Sequence, residues 1–100
     1  MQNLKKSTII DYLSEKKLDF LDRFNIKTIG LFGSFAVDKN SEHSDIDIAY
    51  ETSTKDLTLS QLLTIEDELK KRFNREIELV NLKYMNPLIK RKALKDIIYV

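Results

Sequence analysis

The stretch that decides the fold is LFGSFAVDKNSEHSDIDIAY, residues 31–50. It carries Gly33-Ser34 near one end and, ten residues after that serine, the triplet Asp45-Ile46-Asp47. The chain has only two glycines in 100 residues, and both fall in or next to this stretch. Aspartate is depleted in strands, so two aspartates alternating with isoleucines need an explanation. The stretch predicts the end of one strand, a tight turn, and a second strand with an acidic face.

The flanking sequence supplies the remaining strands. Residues 26–32 form a short apolar run that predicts a buried strand, and residues 44–50 alternate with Asp45, Asp47 and Ala49 on one face. Residues 76–82 alternate again, and residues 97–100 predict a short strand at the edge of the sheet. With the helices, the order is α-β-β-α-β-α-β. We therefore predict one α+β domain over residues 1–100, a small mixed sheet with helices packed on one face.

Helix signals lie between these strands. Residues 5–24 are predicted to be helical, with a break near residues 14–17 left open and Asn25 as a left-handed stop. Thr58 and Gln61 have capping-box spacing, Asn74 can end that second helix, and Pro87 suits the first turn of a third. The apolar face predicted for the first helix consists of Ile10, Leu13, Leu21 and Phe24.

Composition excludes several classes of protein. The apolar fraction of 42% suits a globular fold, and a net charge of +1 argues against a general DNA or membrane binder. Cysteine is absent, which rules out disulfides and thiolate metal sites. The first ten residues lack the apolar run of a signal peptide, and we expect a cytoplasmic protein.

Three familiar sites do not fit the stretch. An EF-hand loop starting at Asp38 would need Gly where His43 stands and Glu where Ala49 stands. The glycine-lysine pattern of a phosphate-binding P-loop is missing. Ser34, His43 and Asp45 make a poor hydrolytic triad because the last two are too close in sequence for the usual orientation. We interpret His43 as a solvated loop residue.

With these three sites excluded, the remaining interpretation of the stretch is a site that binds and reacts with a nucleotide. Two carboxylates about 6–7 Å apart on one strand face repel each other unless a cation lies between them, and hard divalent cations bind carboxylate oxygens. A Gly-Ser turn offers backbone N–H groups and a hydroxyl to a phosphate. A third carboxylate on a neighbouring strand would complete such a site. Glu78 fits because it lies in the middle of a predicted strand, and Glu76, at the start of that strand, ranks second.

These residues carry a family resemblance. Gly33-Ser34, ten residues and Asp45-Ile46-Asp47 resemble the signature of the DNA polymerase beta nucleotidyltransferase superfamily, and LFGSFA…SDIDIAYE resembles its minimal nucleotidyltransferase (MNT) family. EIELVNL is similar to the strand that carries the family's third carboxylate, so the resemblance spans about residues 26–81. The chain departs from the family pattern at three places: Phe35 for a frequent Arg, Val37-Asp38 for a frequent Gly, and Glu78 for Asp.

The resemblance implies a polymerase beta-like fold and transfer of a nucleoside monophosphate from a triphosphate to a hydroxyl. It implies that Asp45, Asp47 and Glu78 are catalytic and bind two Mg²⁺ ions, and that Gly33 and Ser34 bind the phosphates of the donor, by analogy ATP. Loss of the arginine predicts weaker contacts with the triphosphate.

The resemblance also implies a partner. MNT proteins are often paired with helical HEPN proteins, act as antitoxins, and in some members adenylylate a tyrosine of the HEPN ribonuclease. We therefore predict a type VII-like antitoxin that modifies a HEPN partner, because a chain of 100 residues has little material for gripping base and acceptor and needs a partner or a second copy. The alternatives are an inactive antitoxin that neutralises its partner by binding alone, and transfer to RNA or a small molecule.

Overall fold

The structure is a computed structural model that describes residues 4–100. Its centre is a four-stranded mixed sheet in the order β3-β2-β1-β4. β1 pairs antiparallel with both β2 and β4, whereas β2 and β3 run parallel. The strands are β1 (Ile26–Phe32), β2 (Ile46–Thr52), β3 (Ile77–Asn81) and β4 (Ile98–Tyr99). The predicted α+β class, mixed sheet and element order are confirmed, with an added 3₁₀ turn at Leu82–Tyr84.

Both ends of α2, the end of α1 and the start of α3 lie at the residues that the sequence predicts. α1 (Lys6–Phe24) is continuous, without the break left open near residues 14–17, and Asn25 closes it with φ 60°. α2 (Leu59–Phe73) begins with the capping box of Thr58 and ends at Asn74, which has φ 53°. α3 (Pro87–Asp96) has proline in its first turn. Because each cap satisfies backbone groups that the helix leaves unpaired, these boundaries follow from local sequence.

The main core lies between one face of the sheet and helices α1 and α2. Alternate residues of β1 and β2, such as Ile29, Leu31 and Ile48, are almost fully buried there. The predicted face of α1 was wrong at Leu21, which is 43% exposed. The helix turns Phe20 inward instead, and a helical period of 3.6 residues cannot bury both of these neighbouring positions. The buried residues of α1 are Ile9, Leu13, Phe20 and Phe24.

β2 starts later than its alternating pattern predicts. The strand begins at Ile46 rather than Ser44, so Asp45 lies just before it. The first β2–β3 contact explains this start, because the Ile46 amide donates to the carbonyl of Glu76 at 2.9 Å while the preceding residues 41–44 form a turn of their own. β4 is an edge strand, as predicted. Among residues 4–100, no helix is both long enough and apolar enough to cross a bilayer.

Candidate active site

The Gly-Ser pair opens a compact turn directly after β1. Gly33 has φ +74°, a left-handed conformation that glycine adopts without steric cost. The turn is closed by three backbone hydrogen bonds. The amides of Ala36, Lys39 and Asp38 donate to the carbonyls of Gly33, Ser34 and Phe35 at 3.1, 2.9 and 3.4 Å, respectively. Ser34 is half-buried at the start of this turn.

Gly33 is pressed against the carboxylate of Asp47. A Cβ atom built on Gly33 would lie only 2.0 Å from Oδ2 of Asp47, far inside van der Waals contact. The strand register explains the approach, because Phe32, the last residue of β1, is paired with Asp47. A side chain at position 33 would therefore displace Asp47, and glycine is required here both for backbone conformation and for space.

Asp47 and Glu78 form a carboxyl pair across parallel strands. They are register partners in the β2–β3 ladder, and their side chains share a hydrogen bond. Burial is the largest cause that raises the pKa of Asp47, followed by this hydrogen bond and by the charges of Glu78 and Asp45, and together they raise it to about 7. Protonated Asp47 therefore persists over a wider pH range than an isolated aspartate would, and it can donate a hydrogen bond to Glu78.

Asp45 lies beside this pair but does not complete it. It is exposed on the segment before β2, and its charge is the smallest of the four causes that raise the pKa of Asp47. Within residues 4–100, no group of three acidic or histidine side chains is arranged to hold a metal ion. Glu76, the second-ranked candidate, points its carboxylate to Lys70 at 3.1 Å. The structure thus brings together Asp47, Glu78 and Gly33, with Asp45 at their margin.

The donor chemistry at this place suits magnesium. Two carboxylates in contact, with a third on the adjoining segment, are oxygen ligands of the kind that Mg²⁺ prefers. Burial, the hydrogen bond with Glu78 and the nearby carboxyl charges raise the pKa of Asp47, and a divalent ion bound there would oppose that rise. Asp47 and Glu78 are in contact but Asp45 is not gathered with them into a metal-binding group, so a metal held by all three remains a prediction from the sequence.

Arg75 is a site residue that the sequence did not reveal. Its Nη1 donates to the carbonyls of Ser41 and Ser44 at 3.2 and 3.0 Å, and its guanidinium lies 5.5 Å from the centre of the Phe35 ring. These contacts fix the loop that leads into Asp45. Phe35 itself is fully buried, so the position where the family often has arginine is a core position in this chain. A single arginine before a strand gives no sequence signal for such a role.

His43 and the basic run at residues 70–72 have ordinary environments. His43 is highly exposed and lies beside Glu42, which agrees with a solvated loop residue. In the run at residues 70–72, Lys70 pairs with Glu76, Lys71 with Asp67, and Arg72 lies over Tyr12. These contacts satisfy the charges within the fold.

Comparison with known proteins agrees with this geometry. The Polymerase beta nucleotidyltransferase family model matches residues 7–100. A protein of Methanocaldococcus jannaschii, provisionally named a protein adenylyltransferase, is 33% identical over 96 residues, which cover 94% of this chain and 96% of that protein. The protein adenylyltransferase MntA of Thermococcus cleftensis is 26% identical over 100 residues, and the match covers all of both chains.

Solved structures share the fold. A protein provisionally described as a minimal nucleotidyltransferase superposes with a TM-score of 0.78 at 19% identity, over 98% of each chain. A toxin–antitoxin complex with AMP-PNP gives 0.71 at 21% identity, over 96% of this chain and 72% of that one. A complex of the tri-AMPylated HEPN toxin of Shewanella oneidensis with its MNT antitoxin gives 0.62 at 21% identity, over 99% and 71%. The chain belongs to the Polymerase beta nucleotidyltransferase family and is, within it, similar to the minimal nucleotidyltransferases.

Proposed function

We propose that this chain is a Mg²⁺-dependent protein adenylyltransferase that transfers AMP from ATP to a tyrosine hydroxyl of a HEPN-domain partner, and so acts as an antitoxin. The main support for the proposal is one arrangement of residues within the nucleotidyltransferase fold: Gly33 lies against Asp47, and Asp47 is hydrogen-bonded to Glu78. Phosphoryl transfer needs little covalent chemistry from the protein, only positioning and charge stabilisation, and these residues offer both.

The proposed reaction is a single displacement at phosphorus. The tyrosine oxygen attacks the α-phosphorus, the bond between that phosphorus and the α–β bridging oxygen breaks, and pyrophosphate leaves. Glu78 accepts the hydroxyl proton, because it is exposed beside Asp47 and can reach an incoming group. Backbone N–H groups of the Gly33-Ser34 turn and the Ser34 hydroxyl hold the β- and γ-phosphates. When bound, two Mg²⁺ ions supply positive charge that stabilises the attacking and leaving oxygens.

Support for the partner comes from relatives rather than from this chain. Among the structures that share the fold, one is a toxin–antitoxin complex with AMP-PNP, and another holds a tri-AMPylated HEPN toxin beside its MNT antitoxin. An AMP group added to a tyrosine brings a negative phosphate and a bulky nucleoside. Both oppose RNA binding at a neighbouring surface. Because ATP is the donor, we place the reaction in the cytoplasm.

Two features favour a second candidate, an antitoxin that acts by binding alone. Phe35 is buried where the family often has arginine, and Asp45 stands outside the carboxyl pair. An occluding antitoxin would need neither a triphosphate site nor a metal. Against it, burial and the neighbouring carboxyl groups raise the pKa of Asp47, so keeping the charged pair costs stability, and a chain that only binds its partner has no use for it.

One labelling experiment separates the candidates. The chain is incubated with ATP labelled on the α-phosphate, Mg²⁺ and the product of the neighbouring gene. We expect label on a tyrosine of that partner, lost with EDTA or with Asp47→Asn and kept with Asp11→Asn, an exposed control on α1. A stable complex without label would support the binding antitoxin, and label only on RNA or a small molecule would support another acceptor. Either result contradicts the proposed function.

A further inference from the structure

A cavity of about 490 Å³ lies between the turn after β1 and α3. That volume is within the range of small-molecule sites. From α3 it is lined by Ile89, Lys92, Ala93 and Asp96, which are spaced i, i+3, i+4 and i+7 and so form one helical face. The small, buried Ala93 sits in the middle of that face and leaves room. The opposite wall is made by Phe32, Gly33, Val37 and Lys39.

The cavity is continuous with the carboxyl pair through one residue. Gly33 lines the cavity and also contacts Asp47. A ligand that fills the cavity therefore meets the turn at Gly33, the residue that also lies against Asp47.

The cavity favours an anion. Two of its three charged lining residues, Lys39 and Lys92, are exposed lysines that take part in none of the ion pairs among residues 4–100, and the third, Asp96, is half-buried. Since Phe35 is in the core, the Gly-Ser turn itself offers no cation at that position. Lys39 and Lys92 line the same cavity as Gly33, so they offer positive charge to a ligand bound beside the turn.

The cavity on the other side of the site is a poorer choice for a triphosphate. It holds about 420 Å³ next to Asp45, and its lining adds the acidic side chains of Glu42 and Glu76. Its strongest cation, Arg75, is committed to two loop carbonyls, and Lys70 is paired with Glu76. Repulsion by three carboxylates opposes a phosphate chain there.

Apolar side chains complete the first cavity. Val37 is 37% exposed and Ile89 is 59% exposed, on opposite walls. An exposed isoleucine beside two lysines suits a ligand that is anionic at one end and flat and apolar at the other, which describes a nucleoside triphosphate.

We propose that this cavity binds the donor nucleotide, with Lys39 and Lys92 on the phosphates and with Val37 and Ile89 against the base. The identity of the ligand rests on the proposed function, whereas the placement rests on the cavity and its charges. Lys92 and Lys39 then provide the positive charge that a buried Phe35 cannot.

The test measures nucleotide binding apart from transfer. Fluorescent mant-ATP is titrated into the full chain with Mg²⁺, and unlabelled ATP and adenosine compete for it. Lys92→Gln and Lys39→Gln should each raise the Kd for ATP roughly 5- to 20-fold, the range for a partly exposed charge-assisted contact, and leave the Kd for adenosine within about twofold. Ile89→Ser should weaken adenosine and ATP alike. Lys95→Gln, on the same helix but outside the cavity, is the matched control and should change neither.

Each outcome either supports or overturns the proposed placement of the nucleotide. Unchanged ATP affinity in both cavity-lysine variants, an equal loss in Lys95→Gln, or no binding of mant-ATP by the wild-type chain overturns the proposed placement. Binding that depends on Lys92 and Lys39 without transfer of label to any acceptor upholds the placement and removes the proposed function. The lysines are exposed, so circular dichroism should show the variants to be folded.

Discussion

Replacing Asp47 with asparagine should remove nucleotidyl transfer and, at pH 8, stabilise the fold. Burial, the hydrogen bond with Glu78 and the charges of Glu78 and Asp45 raise the pKa of Asp47 to about 7 in the folded protein. An unfolded chain has an aspartate pKa of about 3.9. Between about pH 4 and 7 the folded state therefore holds a proton that the unfolded state releases, and stability falls as the pH rises through this window. Above about pH 7 Asp47 is charged in the folded state as well, and the whole free-energy cost of its raised pKa lowers the stability of the fold.

The magnitude follows from that difference in pKa. About three units at about 1.36 kcal/mol per unit set a ceiling near 4 kcal/mol. Asp47 is only half-buried, and solvent screens the interaction, so we expect about 1–2 kcal/mol. Asparagine is neutral at every pH in this window and can donate its amide to Glu78, as protonated Asp47 does. The variant should therefore match the wild type near pH 4 and exceed it at pH 8.

Urea unfolding at pH 4.5, 6 and 8 measures this directly. The quantity compared is the free energy of unfolding of Asp47→Asn minus that of the wild type, which cancels every group that both chains share. Asp11→Asn, exposed on α1, is the control and should show a difference that does not change with pH. If Asp47→Asn is less stable than the wild type at pH 8, or if the difference is the same at all three pH values, the reasoning about the carboxyl pair is wrong.

Three further predictions concern Gly33, Arg75 and the helix cap at Thr58. Gly33→Ala should lower the free energy of unfolding by about 2 kcal/mol and abolish transfer, because φ is +74° and the new Cβ would meet Asp47. Chemical unfolding and the labelling assay test this prediction, and transfer at the wild-type rate would contradict it. Arg75→Gln should slow transfer while leaving mant-ATP affinity within about threefold, since Arg75 fixes the loop before Asp45 rather than the triphosphate; an unchanged rate would remove its positioning role. Thr58→Ala should lower the free energy of unfolding by about 1 kcal/mol through loss of the capping box, with transfer unaffected; a loss of transfer without a loss of stability would speak against a purely structural Thr58.

Local signals made much of the fold predictable. Asn25, Asn74, Thr58 and Pro87 mark the ends of helices by their own backbone and side-chain chemistry, and all four act where the sequence places them. The change from helical to alternating periodicity located the strands. What periodicity could not fix was which neighbour of a pair turns inward, as Leu21 and Phe20 show, because packing against the sheet decides it.

The site was predictable in its residue types and less so in its arrangement. Spacing placed Gly33, Asp47 and Glu78 in one region, and the parallel β2–β3 register brings the last two into contact. The alternating pattern predicts that Asp45 lies in the strand. In the structure the strand begins one residue later, at Ile46, where the first hydrogen bond to the Glu76 carbonyl forms. The role of Arg75 and the face of α3 toward Gly33 depend on contacts between distant segments, which no local pattern encodes.

The most direct test of the central claim is a Mn²⁺ titration followed by NMR, with ATP present. The account places the metal at Asp45, Asp47 and Glu78, beside the Gly33-Ser34 turn. We therefore expect the amide signals of residues 33–34, 45–47 and 78 to broaden together at low metal concentration. Those signals should persist in Asp47→Asn. Broadening confined to another acidic surface, such as Asp19 and Glu68 beside Arg23, would contradict the account.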